Sequence, residues 1–407
     1  MRILSISAQK PDSTGSGVYM TELIKTFDGE GHTQAVIAGI GPEDEVFLPD
    51  KVRFDPVCFE TEDLPFPVVG MSDEMPYKST RYCDLTPEMT RQFEQAFSKV
   101  LDRVVREFRP DVILCHHLYL LTALTRDRFP EQKIYGFCHN TDLRQMQKTD
   151  LKREFIAEKI RALNGIFVLQ EAQIDRILKI YHADKVNIHV VGIGYNAGVF
   201  HQTSFARTED AVRIVFAGKI AEKKGVMSLL RAMNLLTSAP GEVRLFLAGG
   251  AGNQEEYGEI QALAEKCRYP VVFVGKLSQQ KLAELYNACD IFVLPSFYEG
   301  LPLTAVEALA CGDQVVMSDL PGIADWMETF APGARIRYVT LPQMHEVDEP
   351  EQESLPAFER RLSKALDISI REVQSRGRRR TLAADVSRIC WEQVAGRIER
   401  VLKFYDK

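Results

Sequence analysis

Short apolar runs alternate with amphipathic stretches along almost the whole chain. Arg2–Ser7, "RILSIS", reads as a buried strand. The spacing that follows predicts a helix over about Gly17–Glu30, closed by the glycines of "GEGH". "QAVIAG" is the next strand. Pro87–Phe108 is the most periodic segment: Met89, Phe93, Phe97, Val100, Leu101, Val104 and Phe108 fall mostly three and four apart, on one helical face. "DVILCHH", "KIYGFCH" and "GIFVLQ" continue as strands. The pattern restarts near residue 212. The strands "RIVFAG", "RLFLAGG", "VVFVG", "IFVLPS" and "QVVMS" follow, with helices between them that include Lys224–Leu236 and Glu255–Cys267. Continuous apolar strands separated by helices form parallel sheets covered on both faces. The reading is therefore an α/β chain of two Rossmann-like, doubly wound domains, 1–200 and 201–390. The boundary is placed in the aperiodic Tyr195–Asp210, and a final helix at about 391–407, periodic over Trp391–Tyr405, packs back on the first domain.

Two segments break the rhythm. Glu60–Asp84 is long, Pro-rich and weakly periodic, the character of a functional loop. Met344–Ser354, "MHEVDEPEQES", is acidic without an apolar stripe and reads as a surface loop. The length of 407 residues agrees with two domains, and 45% hydrophobic with 26% charged residues suits a soluble globular protein. A net charge of −7 lacks the basic footprint of a duplex-binding protein, so no nucleic-acid partner is expected. The basic run "RGRRR", Arg376–Arg380, lies beside a periodic helix and reads as a solvated face. No apolar run is long enough to span a membrane, and "MRILSISAQKP" is too short and too soon broken for a signal peptide. The eight cysteines stand singly, most in apolar contexts, the usage of reduced thiols in a cytoplasmic protein. No His, Cys and carboxylate set has zinc-ligand spacing, so neither a metal nor a cofactor is expected.

Four constellations sit where strands give way to helices, the ligand-binding end of a doubly wound sheet. In "PSFYEGLPLTAVEALACG", Pro295–Gly312, a strand ends, Gly300 lets backbone approach a ligand, and a helix begins near Leu303 with unpaired amides suited to phosphate. Glu299 stands on the loop and Glu307 inside the helix, seven residues between them. Read alone, Glu307 is equally a partly exposed helix charge. In "FAGKIAEKKG", Gly218 ends a strand and Lys219, Lys223 and Lys224 follow; they would neutralise a pyrophosphate leaving group or form an ordinary solvated loop. In "DSTGSGVYMTEL", Gly15 and Gly17 would bring a loop close to phosphates or make a plain turn. Met20 occupies the last glycine position of a dinucleotide fingerprint, against a dehydrogenase. In "FCHNTDLRQ", His139 is placed for a sugar or phosphate or for a structural hydrogen bond. Thr141 and Arg144 suit an acceptor phosphate or carboxylate, and His116–His117 is expected beside them.

The Glu299–seven residues–Glu307 segment with its flanks resembles the retaining glycosyltransferases of family four, and the likeness extends faintly over the rest of the chain. The resemblance implies a GT-B architecture, with the donor in the second domain and the acceptor in the first. It implies that Glu299 lies by the donor sugar, Glu307 holds the ribose hydroxyls, and the amides of Leu303 and Thr304 bind the donor diphosphate. Where the family usually has Gly-Arg, this chain has Gly218–Lys219, a charge without the bidentate fork; Lys224–Gly225 matches the second place. His139 would lie beside the sugar, with Thr141, Arg144 and His117 on the acceptor side.

The expected reaction moves a sugar from a nucleotide-diphosphate donor, UDP being the commonest, to a hydroxyl of a small-molecule, glycan or lipid-linked acceptor. Contact with a membrane surface is left open. Lys219 and Lys224 balance the leaving diphosphate, and the acceptor enters on the face it vacates, which retains configuration. No residue stands as a covalent nucleophile. The alternatives are a nucleotide-sugar epimerase or phosphorylase on the same fold, and a non-catalytic nucleotide-sugar-binding subunit.

Overall fold

In the computed structural model the described residues are 1–72, 75–203, 211–345, 349–376 and 383–404. They divide into two units, Met1–Ile193 with Trp391–Lys407, and Gly194–Cys390. The divide falls just ahead of the 200/201 boundary read from the sequence. Tyr195 already bridges to Cys390, and the Asn196 amide donates to Gln279 Oε1 at 3.4 Å, both inside the second unit.

The first unit is built on β1 (Arg2–Ser7), α1 (Gly15–Gly29), β2 (Thr33–Ile40), β3 (Arg53–Cys58), the short pair β4 (Val69–Gly70) and β5 (Thr80–Arg81), and α2 (Pro87–Phe108). It continues through β6 (Val112–His116), α3 (Leu120–Arg128), β7 (Ile134–Phe137), α4 (Thr141–Lys148), α5 (Arg153–Arg161), β8 (Gly165–Val168), α6 (Ile174–Tyr181) and β9 (Ile188–Val190). The sheet order is β3-β2-β1-β6-β7-β8-β9, all parallel. β1 and β6 carry almost only buried side chains, because helices cover both faces of the sheet. α2 shows why its sequence signal was strong. The Thr86 hydroxyl caps the Met89 amide, Pro87 occupies the first turn, and Phe93, Phe97, Leu101, Val104 and Phe108 are buried. Burial of each such side chain is worth about 1.5–3 kcal/mol.

The stretch Glu60–Asp84, expected as a long functional loop, is anchored by its own apolar side chains. Leu64, Phe66, Val68, Val69, Met71 and Tyr82 enter the core cluster, so its Pro-rich chain is a packed cover. Asp73 and Glu74 lie outside the described residues. Cys58 and Cys83 are exposed, unlike the buried Cys115, Cys138, Cys289 and Cys311.

The final helix, Trp391–Phe404, belongs to the first unit, and Tyr405 lies outside the described residues. Trp391 meets Tyr19 of α1 edge to face at 5.0 Å, and Arg397 donates to the Val191 carbonyl at 2.7 Å. His32 Nε2 pairs with Glu399 Oε1 at 2.5 Å, while Glu30 lies beside them. Burial, and then the neighbouring Glu399 carboxylate, push the Glu30 carboxyl up to about 7. A raised carboxyl favours the fold while it is protonated. Its contribution is lost as pH rises from the unfolded value of 4.5 through about 7. Glu30→Gln is therefore expected to match the native chain near about pH 5 and to exceed it in stability near about pH 8. Urea melts of both at the two pH values check this; a difference that ignores pH would remove the assignment.

The second unit repeats the plan. Its elements are β10 (Val212–Ala217), α7 (Val226–Met233), β11 (Val243–Ala248), α8 (Gln254–Glu265), β12 (Val271–Gly275) and α9 (Gln279–Ala288). There follow β13 (Ile291–Leu294), α10 (Leu303–Cys311), β14 (Gln314–Ser318), α11 (Ile323–Phe330), β15 (Ile336–Val339) and α12 (Leu355–Arg376); the C-terminal helix is α13. The sheet order is β12-β11-β10-β13-β14-β15, all parallel. Ranked by chain order within each sheet, the strands run 3-2-1-4-5-6-7 in the first and 3-2-1-4-5-6 in the second, and both orders reverse beside the first strand, the doubly wound arrangement.

The helix expected from Lys224 starts instead at Val226. Glu222–Lys224 forms a single 3₁₀ turn, and Gly225 at φ +70° separates the two. A Cβ on Gly225 would collide with the Pro295 carbonyl, so the glycine lets this loop touch the one after β13. In Met344–Ser354, Met344 bridges to Pro350 and Gln352–Ser354 makes a 3₁₀ turn; residues 346–348 lie outside the described set. Arg376 ends α12, and residues 377–380 of the basic run also lie outside it. Among the described residues no helix is long and apolar enough to cross a membrane.

Candidate functional site

In a doubly wound sheet the crevice for a ligand opens at the carboxyl ends of the strands where the order reverses. In the second unit that point lies between β10 and β13. The loop after β10 carries Gly218, Lys219, Lys223 and Lys224; the loop after β13 carries Ser296, Glu299 and Gly300 and leads into α10. The two loops are joined. Phe297 N–H donates to the Lys223 carbonyl at 3.2 Å, and Lys224 Nζ meets Glu299 Oε1 at 2.7 Å. Ser296 Oγ donates to the same carboxylate oxygen at 2.7 Å. Lys224 and Glu299 are 29% and 18% exposed, shielded enough to hold one geometry yet open to a ligand.

Lys224 and Glu299 were expected to have separate tasks; the structure makes them one ion pair. Lys219 is exposed beside Gly252, where a Cβ would strike its ammonium end. Lys223 reaches outward to Glu349 at 3.8 Å. α10 begins at Leu303 and Thr304 with Pro302 before it, whose side chain makes no capping hydrogen bond, while Leu303 N–H donates back to the Leu301 carbonyl at 3.0 Å. An uncapped first turn keeps its positive end for an anion. Glu307, one turn further, is only 9% exposed, which removes the reading of it as a surface charge.

The first unit reverses between β1 and β6. Thr14 caps α1 by accepting from Gly17 N–H at 3.1 Å. A Cβ on Gly17 would lie 2.8 Å from the Lys10 carbonyl oxygen, so this glycine is required by the loop's own fold. Gly15 has open space around it and is the position through which a ligand could approach the backbone.

At the ends of β6 and β7 three imidazoles gather. His116 Nδ1 and His139 Nε2 are 3.2 Å apart, the His117 and His139 rings lie 4.9 Å apart, and Tyr19 meets His139 edge-on at 5.3 Å. His116 also stacks on Phe137 at 4.7 Å. Burial pushes His116 down to about 3, and burial with the neighbouring rings pushes His139 well below its usual value. Burial lowers His117 as well, opposed by the Asp142 carboxylate. The cluster is thus neutral at pH 7, and each ring offers one N–H and one lone pair. Thr141 opens α4, and Arg144 stands exposed within its first turn.

Asp142 and Tyr19 were missed. The Asp142 side chain is fully buried and accepts from Leu118 N–H at 2.9 Å, His139 N–H at 3.2 Å and Leu143 N–H at 3.1 Å. The signal was a carboxylate at the second residue of a helix directly after "HNT", a position that favours negative charge. Tyr19 donates to the Gly192 carbonyl at 3.0 Å and stands on the buried face of α1, indistinguishable in sequence from any core aromatic.

Known proteins resemble the chain in both sequence and fold. Residues 200–336 match the family model described as glycosyl transferases group 1. A D-inositol 3-phosphate glycosyltransferase of Xylanimonas cellulosilytica is 32% identical over 40% of this chain and 42% of its own length. An alpha-maltose-1-phosphate synthase of Mycolicibacterium smegmatis is 27% identical over 61% of this chain and 64% of its own. The chain therefore spans less than two thirds of the length of these relatives. Among solved structures, the sucrose-phosphate synthase of Thermosynechococcus elongatus superposes with a TM-score of 0.68 at 18% identity, covering 100% of this chain and 99% of its own. Anabaena HepE in complex with UDP and glucose gives 0.65 at 13% identity, covering 99% and 100%. The fold is theirs, the GT-B architecture.

Proposed function

We propose that this chain, a group 1 glycosyl transferase by residues 200–336 and GT-B in fold, moves a sugar from a nucleoside diphosphate to a hydroxyl of a phosphorylated acceptor with retention of configuration. The observation that carries the reading is the Lys224–Glu299 pair beside the uncapped start of α10. A cation, a carboxylate and a helix N-terminus meet where a sugar diphosphate needs charge balance at one end and a hydrogen-bond acceptor at the other. The diphosphate rests on the start of α10, on the Thr304 amide and on that of Leu303 once it leaves the Leu301 carbonyl. Lys219 and Lys224 take up the charge that develops as the glycosidic bond breaks. Glu299 receives a sugar hydroxyl, and Glu307 the ribose. In the first unit, the neutral His139 donates to or accepts from the sugar without adding charge, and Thr141, Arg144 and His117 serve the acceptor. A phosphorylated acceptor is supported by the names of the relatives, an inositol 3-phosphate glycosyltransferase and a maltose-1-phosphate synthase. UDP as the donor's nucleotide is supported by the complex of the Anabaena neighbour.

The test is a panel of UDP-, GDP-, ADP- and TDP-sugars with sugar and polyol phosphates, read by product formation and by the proton coupling at the new anomeric carbon. An inverted product would overturn the retaining reading, and consumption of donor without a glycoside would point to an epimerase. Glu307→Gln is expected to weaken donor binding roughly ten- to hundredfold, since a hydrogen bond to a charged group is worth about 1.5–3 kcal/mol. Unchanged calorimetric affinity would remove the ribose role. Because lysines supply the cationic balance, turnover is expected to persist in EDTA; a loss restored by Mg²⁺ would assign that balance to a metal.

A further inference from the structure

In the first unit β1 and β6 are neighbours, with Ile6 opposite Cys115, and such strands lie about 4.8 Å apart. Gln9 stands two residues past the end of β1 and His117 one residue past the end of β6, both at the carboxyl ends where the sheet order reverses. They are buried, at 2% and 4% exposure, and each keeps one polar atom without a hydrogen-bond partner among the described residues: Gln9 Nε2 and His117 Nε2. Their other polar atoms are engaged. Ser16 Oγ, in the first turn of α1, donates to Gln9 Oε1 at 3.5 Å, which leaves the amide nitrogen as the unmet donor. Ser16 is half-buried and Gly15 beside it has open space, so the Gln9 amide lies just beneath the surface of that crevice. A hydrogen bond with the His116 backbone holds the proton on the other ring nitrogen of His117, so Nε2 presents its lone pair. A buried donor or acceptor left unpaired destabilises a fold. His117 adds a left-handed backbone at φ +74°, a second local cost. Costs of this kind gather where a ligand uses the groups that carry them.

We propose that Gln9 and His117 read the hydroxyls of the acceptor: the Gln9 amide donates to a hydroxyl oxygen, and His117 Nε2 accepts from a hydroxyl. One neutral donor beside one neutral acceptor suits a hydroxyl, which accepts and donates at once. A phosphate dianion only accepts, and would set its oxygens against the His117 lone pair. Lys10, next to Gln9, is paired with Asp44 and lies 4.4 Å from the Tyr77 ring centre, so its charge is already balanced. The pair therefore selects the polyhydroxyl face of the acceptor and leaves its phosphate to other groups. Gln9 so becomes a specificity residue of the sugar transfer proposed above, on which this role rests.

The test is calorimetry of the full chain with glucose 6-phosphate and sorbitol 6-phosphate in the presence of UDP, beside thermal melts of the ligand-free chain. Gln9→Met keeps the length of the side chain and removes the unpaired donor. Both phosphates are expected to bind this variant about tenfold more weakly, with UDP affinity unchanged. Its ligand-free melting point is expected to rise by about 2–4 °C, because no buried amide is left without a partner. A glutamine with a purely structural role would lower it. Three outcomes overturn the proposal: native affinity for both phosphates in Gln9→Met, a melting point that does not rise, or no binding of either phosphate to the native chain. In the donor panel, Gln9→Met should raise the acceptor KM about tenfold. Product formed at the native KM would remove the hydroxyl role alone. No product from the native chain, with phosphate binding still lost in Gln9→Met, would remove the transfer and leave the hydroxyl role standing.

Discussion

Lys224→Ala is expected to lower turnover roughly 10²–10³-fold, the usual cost of removing one preorganised group that stabilises developing charge. The stability cost should be small, because a partly exposed ion pair contributes at most about 1 kcal/mol. Lys224 and Glu299 share one contact of 2.7 Å, so their variants should not act independently. Glu299→Gln alone frees the lysine, and Lys224→Ala alone leaves the carboxylate to Ser296 among the described residues. The double variant should fall well short of the product of the two single losses, as for groups that work as a unit. Steady-state kinetics with both ligands saturating read this directly. Turnover near the native level in Lys224→Ala would reduce the loop to a solvated charge cluster. Full additivity would restore separate tasks for the two residues.

That coupling marks the limit of what the pattern of residues could convey. The strand and helix order was legible because parallel strands buried on both faces are written as unbroken apolar runs, as in "RIVFAG" and "IFVLPS". α2 was legible to the residue, since its apolar stripe runs unbroken to Phe108 and Pro87 stands in its first turn. The loop after β10 was legible only in part. Lys224 was singled out beside Gly225, but the helix was started two residues early, because nothing local says that Gly225 must turn left-handed against Pro295. Such a contact spans about seventy residues of sequence and is set by strand order, not by neighbours in the chain. The same holds for Glu60–Asp84, where the lack of periodicity gave no sign that Phe66, Val69 and Tyr82 are core residues. Gly17 was read as a ligand-facing glycine; its space is taken by the Lys10 carbonyl.

The second large effect is expected at Asp142. Its carboxylate ties the turn after β6, through Leu118 N–H, to the turn after β7, through His139 N–H, and closes the first turn of α4 through Leu143 N–H. His117 holds φ +74° and Asn140 φ +69°, backbone conformations that cost a non-glycine residue about 1 kcal/mol or more and persist only when neighbours fix them. Asp142 supplies that fixation from a fully buried position, so Asp142→Ala strands several amides without water. Each buried, unpaired amide costs about 1–3 kcal/mol, and the expected loss is about 3–5 kcal/mol in a urea melt. Asp142→Asn separates the structural from the functional part. Its oxygen can still accept from Leu118 and His139, while its amide nitrogen faces the Leu143 N–H, so about 1–3 kcal/mol should be lost and the chain should stay folded. In that folded variant the His117 and His139 turns are loosened, and turnover should fall more than donor affinity, because the donor's diphosphate and ribose are assigned to the second unit. Equal losses in donor affinity and turnover would deny the first unit its proposed role at the sugar. A stable Asp142→Ala with native turnover would show that the imidazole cluster is held by ring packing alone.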